Sequence, residues 1–197
     1  IKNLNIKLVA NKYNYGYTKA INQAIRIGKG KNFLILNPDT LLEKKSIWII
    51  LKFLEEYKNI GVVGPKVIDK YGNFQASCRR GLATPFAVFS YFLGFAKIFS
   101  KNKLFTGYQL NHLNENEESE VGGVSGSCMV VRKKVIDQIG LFDEIFFAYQ
   151  EDSDFCIRAK EKGWKVFYKP NARVLHIGGV GGSNSVPMKA IFEWHRS

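Results

Sequence analysis

The sequence predicts one α/β domain built on a mixed, mainly parallel central sheet. Three observations carry that prediction. Short apolar runs alternate with segments whose apolar residues recur at helical spacing. A strand-like run at 6–10, a helical pattern at 17–27 and an apolar run at 33–36 follow in an order and at lengths that imply parallel pairing. Turn residues at 69–73 separate two further runs, 61–68 and 74–78, which form a hairpin and make the sheet mixed. At 197 residues the chain suits a single domain with a sizeable core.

Each element has its own signal. Residues 6–10 (IKLVA) read as a short strand. A polar, Gly-containing loop leads into the helix at 17–27, with Ala20, Ile21, Ala24 and Ile25 on one face and Gly28 and Gly30 as its stop. Residues 33–36 are a compact buried strand broken by Asn37-Pro38-Asp39. Ser46 is placed to cap a helix reaching Tyr57, with Ile47, Ile50, Leu51 and Leu54 along one side. Residues 85–110 are rich in Phe, Tyr and Lys and carry two readings, a core-packing helix plus loop or an interfacial helix touching a membrane. Residues 111–120 are an acidic loop. A strand at 121–131 starts with Gly-Gly, a short helix at 132–139 closes at Gly140, and a helix at 151–162 ends at Gly163. Residues 164–168 and 173–175 return to strand. Trp48, Trp164 and Trp194 read as packing residues.

Composition narrows the class. A hydrophobic fraction of 46% with 14% aromatics excludes disorder. Lys and Arg number 29 against 17 Asp and Glu, a net charge of +12 that favours polyanionic partners. The basic residues are spread along the chain without a nucleic-acid-binding motif, which argues against nucleic acid. Cys78, Cys128 and Cys156 are odd in number and lack C-x-x-C spacing, so neither a disulfide frame nor a zinc site is expected. A cytoplasmic setting fits, free or peripheral on the inner face of the membrane. The longest strongly apolar run, 85–96, is too short to span a bilayer.

Three constellations bear chemistry. Asp39, in Asn37-Pro38-Asp39, ends an apolar strand, where α/β sheets present side chains to ligands. A carboxylate there holds Mg2+ or Mn2+ against a diphosphate, or simply shapes the turn. Glu151, Asp152 and Asp154 crowd the first turn of a helix, where the dipole favours their charge and mutual repulsion opposes it, a tension suited to a general base or to an ordinary acidic first turn. His176 follows an apolar strand and precedes Gly178 and Gly179; it is a metal or phosphate contact or a hydrogen-bonded structural residue. Arg79 and Arg80 pair with a phosphate or form a solvated basic turn.

Taken jointly, NYGYTKAINQAI (14–25), FLILNPDTLL (33–42) and the block from Val121 to Gly179, which contains VSGS, YQEDSD and VLHIGG, resemble the family 2 inverting glycosyltransferases. The likeness is closest to a rhamnosyltransferase-like branch that carries Asn-Pro-Asp where others carry Asp-x-Asp. The resemblance implies a GT-A fold, a Rossmann-like α/β/α sandwich that binds a nucleoside diphosphate sugar, with Mn2+ or Mg2+ as cofactor. It implies that Asp39 and His176 hold the metal and that Asp152 is the base for the acceptor hydroxyl. Asn37 stands in for the first acid, and Gly16 and Asn22 line the nucleotide pocket. Gly126 and Ser127 lie near donor sugar and acceptor; apart from the resemblance, their own charge offers Glu151 and Arg79 as further acceptor or phosphate contacts.

Two departures are visible. Asn37 offers a neutral oxygen in place of a charge, and the family's first β-α unit is expected to be missing before Ile1. Residues 1–197 are therefore read as a single catalytic domain lacking that unit. The expected reaction transfers a sugar to a hydroxyl of a saccharide or lipid-linked acceptor in cell-surface polysaccharide synthesis. The alternative is an inactive sugar-nucleotide-binding or scaffolding fragment.

Overall fold

A computed structural model describes residues 6–82, 86, 93, 107–108 and 110–177. Helix α1 (Tyr17–Ile27) precedes β1 (Asn32–Leu36), β2 (Thr40–Leu42), α2 (Ser46–Glu56) and β3 (Ile60–Ile68). A 3-10 turn (Ala76–Cys78) enters β4 (Arg79–Arg80). There follow β5 (Ser119–Glu120), β6 (Gly123–Val124), β7 (Cys128–Arg132), α3 (Lys133–Ile139), α4 (Glu151–Glu161) and β8 (Lys165–His176).

The main sheet has the order β1-β7-β3-β8-β2, with β5 also on β8, while β4 and β6 pair separately. It is mixed, as the sequence predicts. Strands β1, β3 and β8 share one direction, yet only β3 and β8 pair in parallel among the described residues. The expectation of mainly parallel pairing is corrected by β7, which enters between β1 and β3 antiparallel to both. Its register sets Leu36 opposite Cys128 and Asn32 opposite Arg132.

Strand β3 is buried along its whole length because helices cover both faces of the sheet. Alternation sends Val62, Val131 and Tyr168 to a core shared with Ile25, Val135, Phe155 and Ala159 of α1, α3 and α4, and Val67, beyond the irregularity at Pro65 and Lys66, joins it. Val63 and Val130 go to the other face, against Ile50, Phe53 and Leu54 of α2. Each such side chain contributes roughly 1.5–3 kcal/mol through burial. Gly64 is required by this layering, since a Cβ there would lie 2.6 Å from the Val124 side chain.

Other expectations are revised. Residues 6–10 form no strand, and Ile6 and Leu8 are 69% and 87% exposed. Helix α1 buries Thr18, Asn22 and Ile25 while Ala20 and Ala24 face solvent, because polar anchoring of Asn22 sets its rotation. Ser46 opens α2 without capping it; its hydroxyl donates to Arg173 O (2.7 Å) and accepts from Arg173 N (2.9 Å), tying α2 to β8. Residues 121–131 are two strands separated by a turn at 125–127. Residues 165–176 are one continuous strand with a bulge opposite Pro65 and Lys66. The hairpin shrinks to one bridge, Ile68 to Phe74, around an Asp69 turn whose Oδ1 accepts from Tyr71 N and Asn73 N. Trp164 packs as expected, whereas Trp48 is 60% exposed with Lys52 Nζ 5.3 Å from its ring.

The acidic loop is pinned by basic residues. Lys66 Nζ donates to Glu115 and Asn116, both at 2.7 Å, Lys160 pairs with Glu120 and Lys169 with Glu118. The three cysteines are buried and free. Most of 85–110, Trp194, and Gly178 and Gly179 lie outside the described residues. Among the described residues no helix is long and apolar enough to cross a membrane.

Candidate active site

The site forms where β1 and β8 end and β7 begins. Because β1 and β7 are antiparallel with Leu36 opposite Cys128, the Asn37-Pro38-Asp39 turn and the Ser125-Gly126-Ser127 turn meet at one end of the sheet. Asn37 N donates to Ser127 O (2.9 Å), and Thr40 Oγ1 donates to Asn37 O (2.6 Å), which fixes the turn. The antiparallel register of β2 and β8 places Thr40 opposite His176, and Ile177 N donates to Asp39 O at 3.0 Å.

Asp39 and His176 thus converge although 137 positions separate them along the chain, with Nε2 of His176 3.3 Å from Asp39 Oδ1. Gln75 decides the tautomer. Its Nε2 donates to His176 O (3.1 Å), so its Oε1, 3.1 Å from Nδ1, acts as acceptor and Nδ1 carries hydrogen. The other ring nitrogen, Nε2, then faces the Asp39 carboxylate, an arrangement that a cation between them satisfies. These two side chains therefore fit a divalent metal, with further positions left to substrate oxygens and water. Among the described residues no group of three or more His, Cys, Asp and Glu side chains stands together as a complete metal cage.

Asp152 faces the same turns. Its Oδ2 accepts from Gly126 N (2.7 Å) and from Arg80 Nη2 (2.6 Å). Tyr17 joins the two halves, its hydroxyl oxygen lying 2.8 Å from both Asn37 Oδ1 and Gly126 O. A phenol has one proton to donate. Turning the Asn37 amide so that its NH2 donates to Tyr17 leaves that proton for Gly126 O and satisfies all three groups. Burial first, then the charges of Glu151 and Asp152, raise the Tyr17 phenol well above its ordinary range and keep it neutral.

The three acids of α4 separate by environment. Asp154 pairs with Arg158 one turn on, at 2.7 Å. Glu151 is buried, with Oε2 bonded to no protein group. Burial, and second the charge of Asp152, push its carboxyl up to about 7. Tyr149 and Gln150 both adopt positive φ, 69° and 63°, immediately before the acidic pair, a costly backbone for side chains of this kind.

The remaining candidates fall as follows. Ser127 is buried beside Ser125, with 3.0 Å between their hydroxyls. Gly16 has φ 94°, and a Cβ there would lie 2.5 Å from Phe147 O, so this glycine seats the 143–150 loop and its contact is with Phe147. Asn22 donates to Phe142 O and Glu144 Oε1 and accepts from Phe142 N, which commits its amide to holding that loop. Arg79 is buried, donating to Leu113 O and Asn114 O and lying over the rings of Tyr168 and Phe74, so its guanidinium is engaged in anchoring a loop. Strand alternation sends its neighbour Arg80 the other way, into the site. The sequence reading missed Tyr17 and Gln75, which carried no signal, and ranked Arg79 above Arg80.

The fold agrees with comparisons to known proteins. The model of the family described as "Glycosyl transferase family group 2" matches residues 33–181. An N-acetylglucosaminyl-diphospho-decaprenol L-rhamnosyltransferase of Mycobacterium tuberculosis is 32% identical over 87% of this chain and 59% of its own length. The low-salt glycan biosynthesis hexosyltransferase Agl10 of Haloferax volcanii is 25% identical over 76% of this chain and 44% of its own. The chain thus spans about half of these curated relatives. A crystal structure of GalNAc-T7 with UDP, GalNAc and Mn2+ superposes with a TM-score of 0.60 at 15% identity, covering 88% of this chain and 32% of that one, a likeness of fold. With the family model matched over most of its length on a GT-A-like α/β sheet, the chain belongs to glycosyl transferase family group 2.

Proposed function

We propose that these residues form most of the catalytic domain of an inverting glycosyltransferase. It moves a hexosyl or rhamnosyl group from a nucleoside diphosphate sugar to a hydroxyl of a saccharide or lipid-linked acceptor in cell-surface polysaccharide synthesis. The observation that carries this reading is the meeting of Asp39, His176 and Asp152 around the Asn37 and Gly126 turns. The M. tuberculosis relative, named for a lipid diphosphate acceptor and a rhamnosyl product, supports that substrate class.

The chemistry follows from charge. A hydroxyl is a weak nucleophile, so Asp152 takes its proton as the oxygen attacks the anomeric carbon from the face opposite the diphosphate. The bond to the diphosphate breaks with its electron pair on the leaving oxygen, and one displacement inverts the anomeric centre. Asp39 and His176 would hold Mn2+ or Mg2+, which when bound supplies positive charge against the diphosphate. Tyr17 and Asn37 fix the turns, and Gly126 N orients the base. The cytoplasm, free or at the inner membrane face, is the proposed setting.

The 197 residues read as one domain whose nucleotide half is completed by a further β-α unit. In support, β1 pairs on one side only among the described residues, with Leu34 and Leu36 39% and 36% exposed.

Asp152→Asn is expected to lower transfer by roughly three orders of magnitude while Mn2+-dependent stabilisation by nucleotide persists. Nucleoside diphosphate release, thermal melting and the product's anomeric NMR signal read these outcomes. Retained transfer in Asp152→Asn, or a product with the donor's configuration, would end the reading.

A further inference from the structure

Given Asp152 as the base, we propose that Arg80 is its positioning residue, holding the carboxylate by Oδ2 so that Oδ1 is the oxygen that meets the acceptor hydroxyl. Arg80 Nη2 and Gly126 N both converge on Oδ2, at 2.6 and 2.7 Å, whereas Oδ1 has Ser153 Oγ at 3.3 Å. Two donors on one oxygen fix the carboxylate plane, and a fixed plane is what proton abstraction at a set angle requires. The pair is sheltered, with side-chain exposures of 19% for Arg80 and 9% for Asp152.

The scaffold behind Arg80 is firm. Strand β4 pairs with β6, placing Arg80 opposite Gly123, and Ser125 N donates to Cys78 O at 3.0 Å. Arg79, locked on the far side by two carbonyls and two rings, prevents the strand from turning. A solvated basic turn would show none of this. The titratable groups that face the pair are Tyr17 from α1, Tyr108 beside Arg80, and Glu151 and Cys156 on the helix of Asp152 itself. Of these Arg80 supplies the positive charge.

Arg80→Gln and Arg80→Lys, compared with the wild-type chain by kcat, donor KM, pH profile and thermal melting, test the assignment. Arg80→Gln is expected to lower kcat roughly 100-fold with donor KM little changed. The acid limb of its kcat profile moves as the counter-charge beside the base is lost. Arg80→Lys restores the limb and part of kcat, since charge returns without the planar fork.

The proposal is overturned by a wild-type profile and kcat in Arg80→Gln, by a loss confined to donor KM, by no recovery of the limb in Arg80→Lys, or by unfolding of both variants. An active Asp152→Asn sinks the base reading instead. An inactive Asp152→Asn beside an unaltered Arg80→Gln sinks only Arg80.

Discussion

At the scale of single residues, identical chemistry is sorted by partners. Glu151, Asp152 and Asp154 are three acids within four positions, and spacing alone ranks none of them. The structure gives Asp154 an arginine on its own helix, Asp152 an arginine and an N–H from other elements, and Glu151 a buried oxygen with no donor. The contrast sets a pH dependence. Burial first, then the charge of Asp152, raise the Glu151 carboxyl from an ordinary 4.5 to about 7, so between those values the folded chain binds the proton more tightly than the unfolded chain. Stability attributable to this group is full below about pH 4.5 and falls as pH rises through 7. Glu151→Gln removes the dependence, and urea unfolding at pH 5 and pH 8 should show its stability rising relative to wild type by roughly 2–3 kcal/mol between the two. An unchanged gap would place the carboxyl in a solvated setting. Asp39 and His176 follow or end apolar strands and Asp152 opens an acidic helix, so sequence segments mark all three as candidates. Gln75 was not, since its role depends on a backbone carbonyl 101 positions away.

At the scale of elements, the helices were legible nearly to the residue because apolar spacing and glycine stops mark them. Their orientation was not, since polar anchors set it. The amide of Asn22 makes three hydrogen bonds to the loop before α4, so α1 and the acidic helix move as one piece. Asn22→Ala leaves Phe142 N and O unpaired and should cost about 2–3 kcal/mol in chemical unfolding, with turnover falling and donor KM steady. A raised donor KM at unaltered stability would instead make Asn22 a donor contact. Arg132 acts similarly at the other face, its guanidinium reaching the carbonyls of Leu54, Tyr57 and Ile60 where α2 ends and β3 begins. No periodicity in a sequence marks such a clasp, because charge near a helix end is ordinary.

At the scale of the molecule, the sheet was legible as mixed but its strand order was not, because β7 reaches back past β4, β5 and β6 to lie between β1 and β3. Its surface charge of +12 leads to another expectation. The chain should sediment with vesicles containing phosphatidylglycerol but not with neutral phosphatidylcholine, and release as NaCl rises from about 50 to about 300 mM. Equal partition to both vesicle types would remove charge as the cause. The place of β3 has a further consequence, for the ribosome. Both of its neighbours in the sheet, β7 and β8, are translated long after it, β8 nearly a hundred residues later. At about 5–20 residues per second, this buried strand, apolar but for Lys66, stays without its β8 neighbour for about 5–20 seconds of every synthesis. A nascent chain paused short of Lys165 therefore offers an unpaired, largely apolar strand to whatever binds exposed strands first.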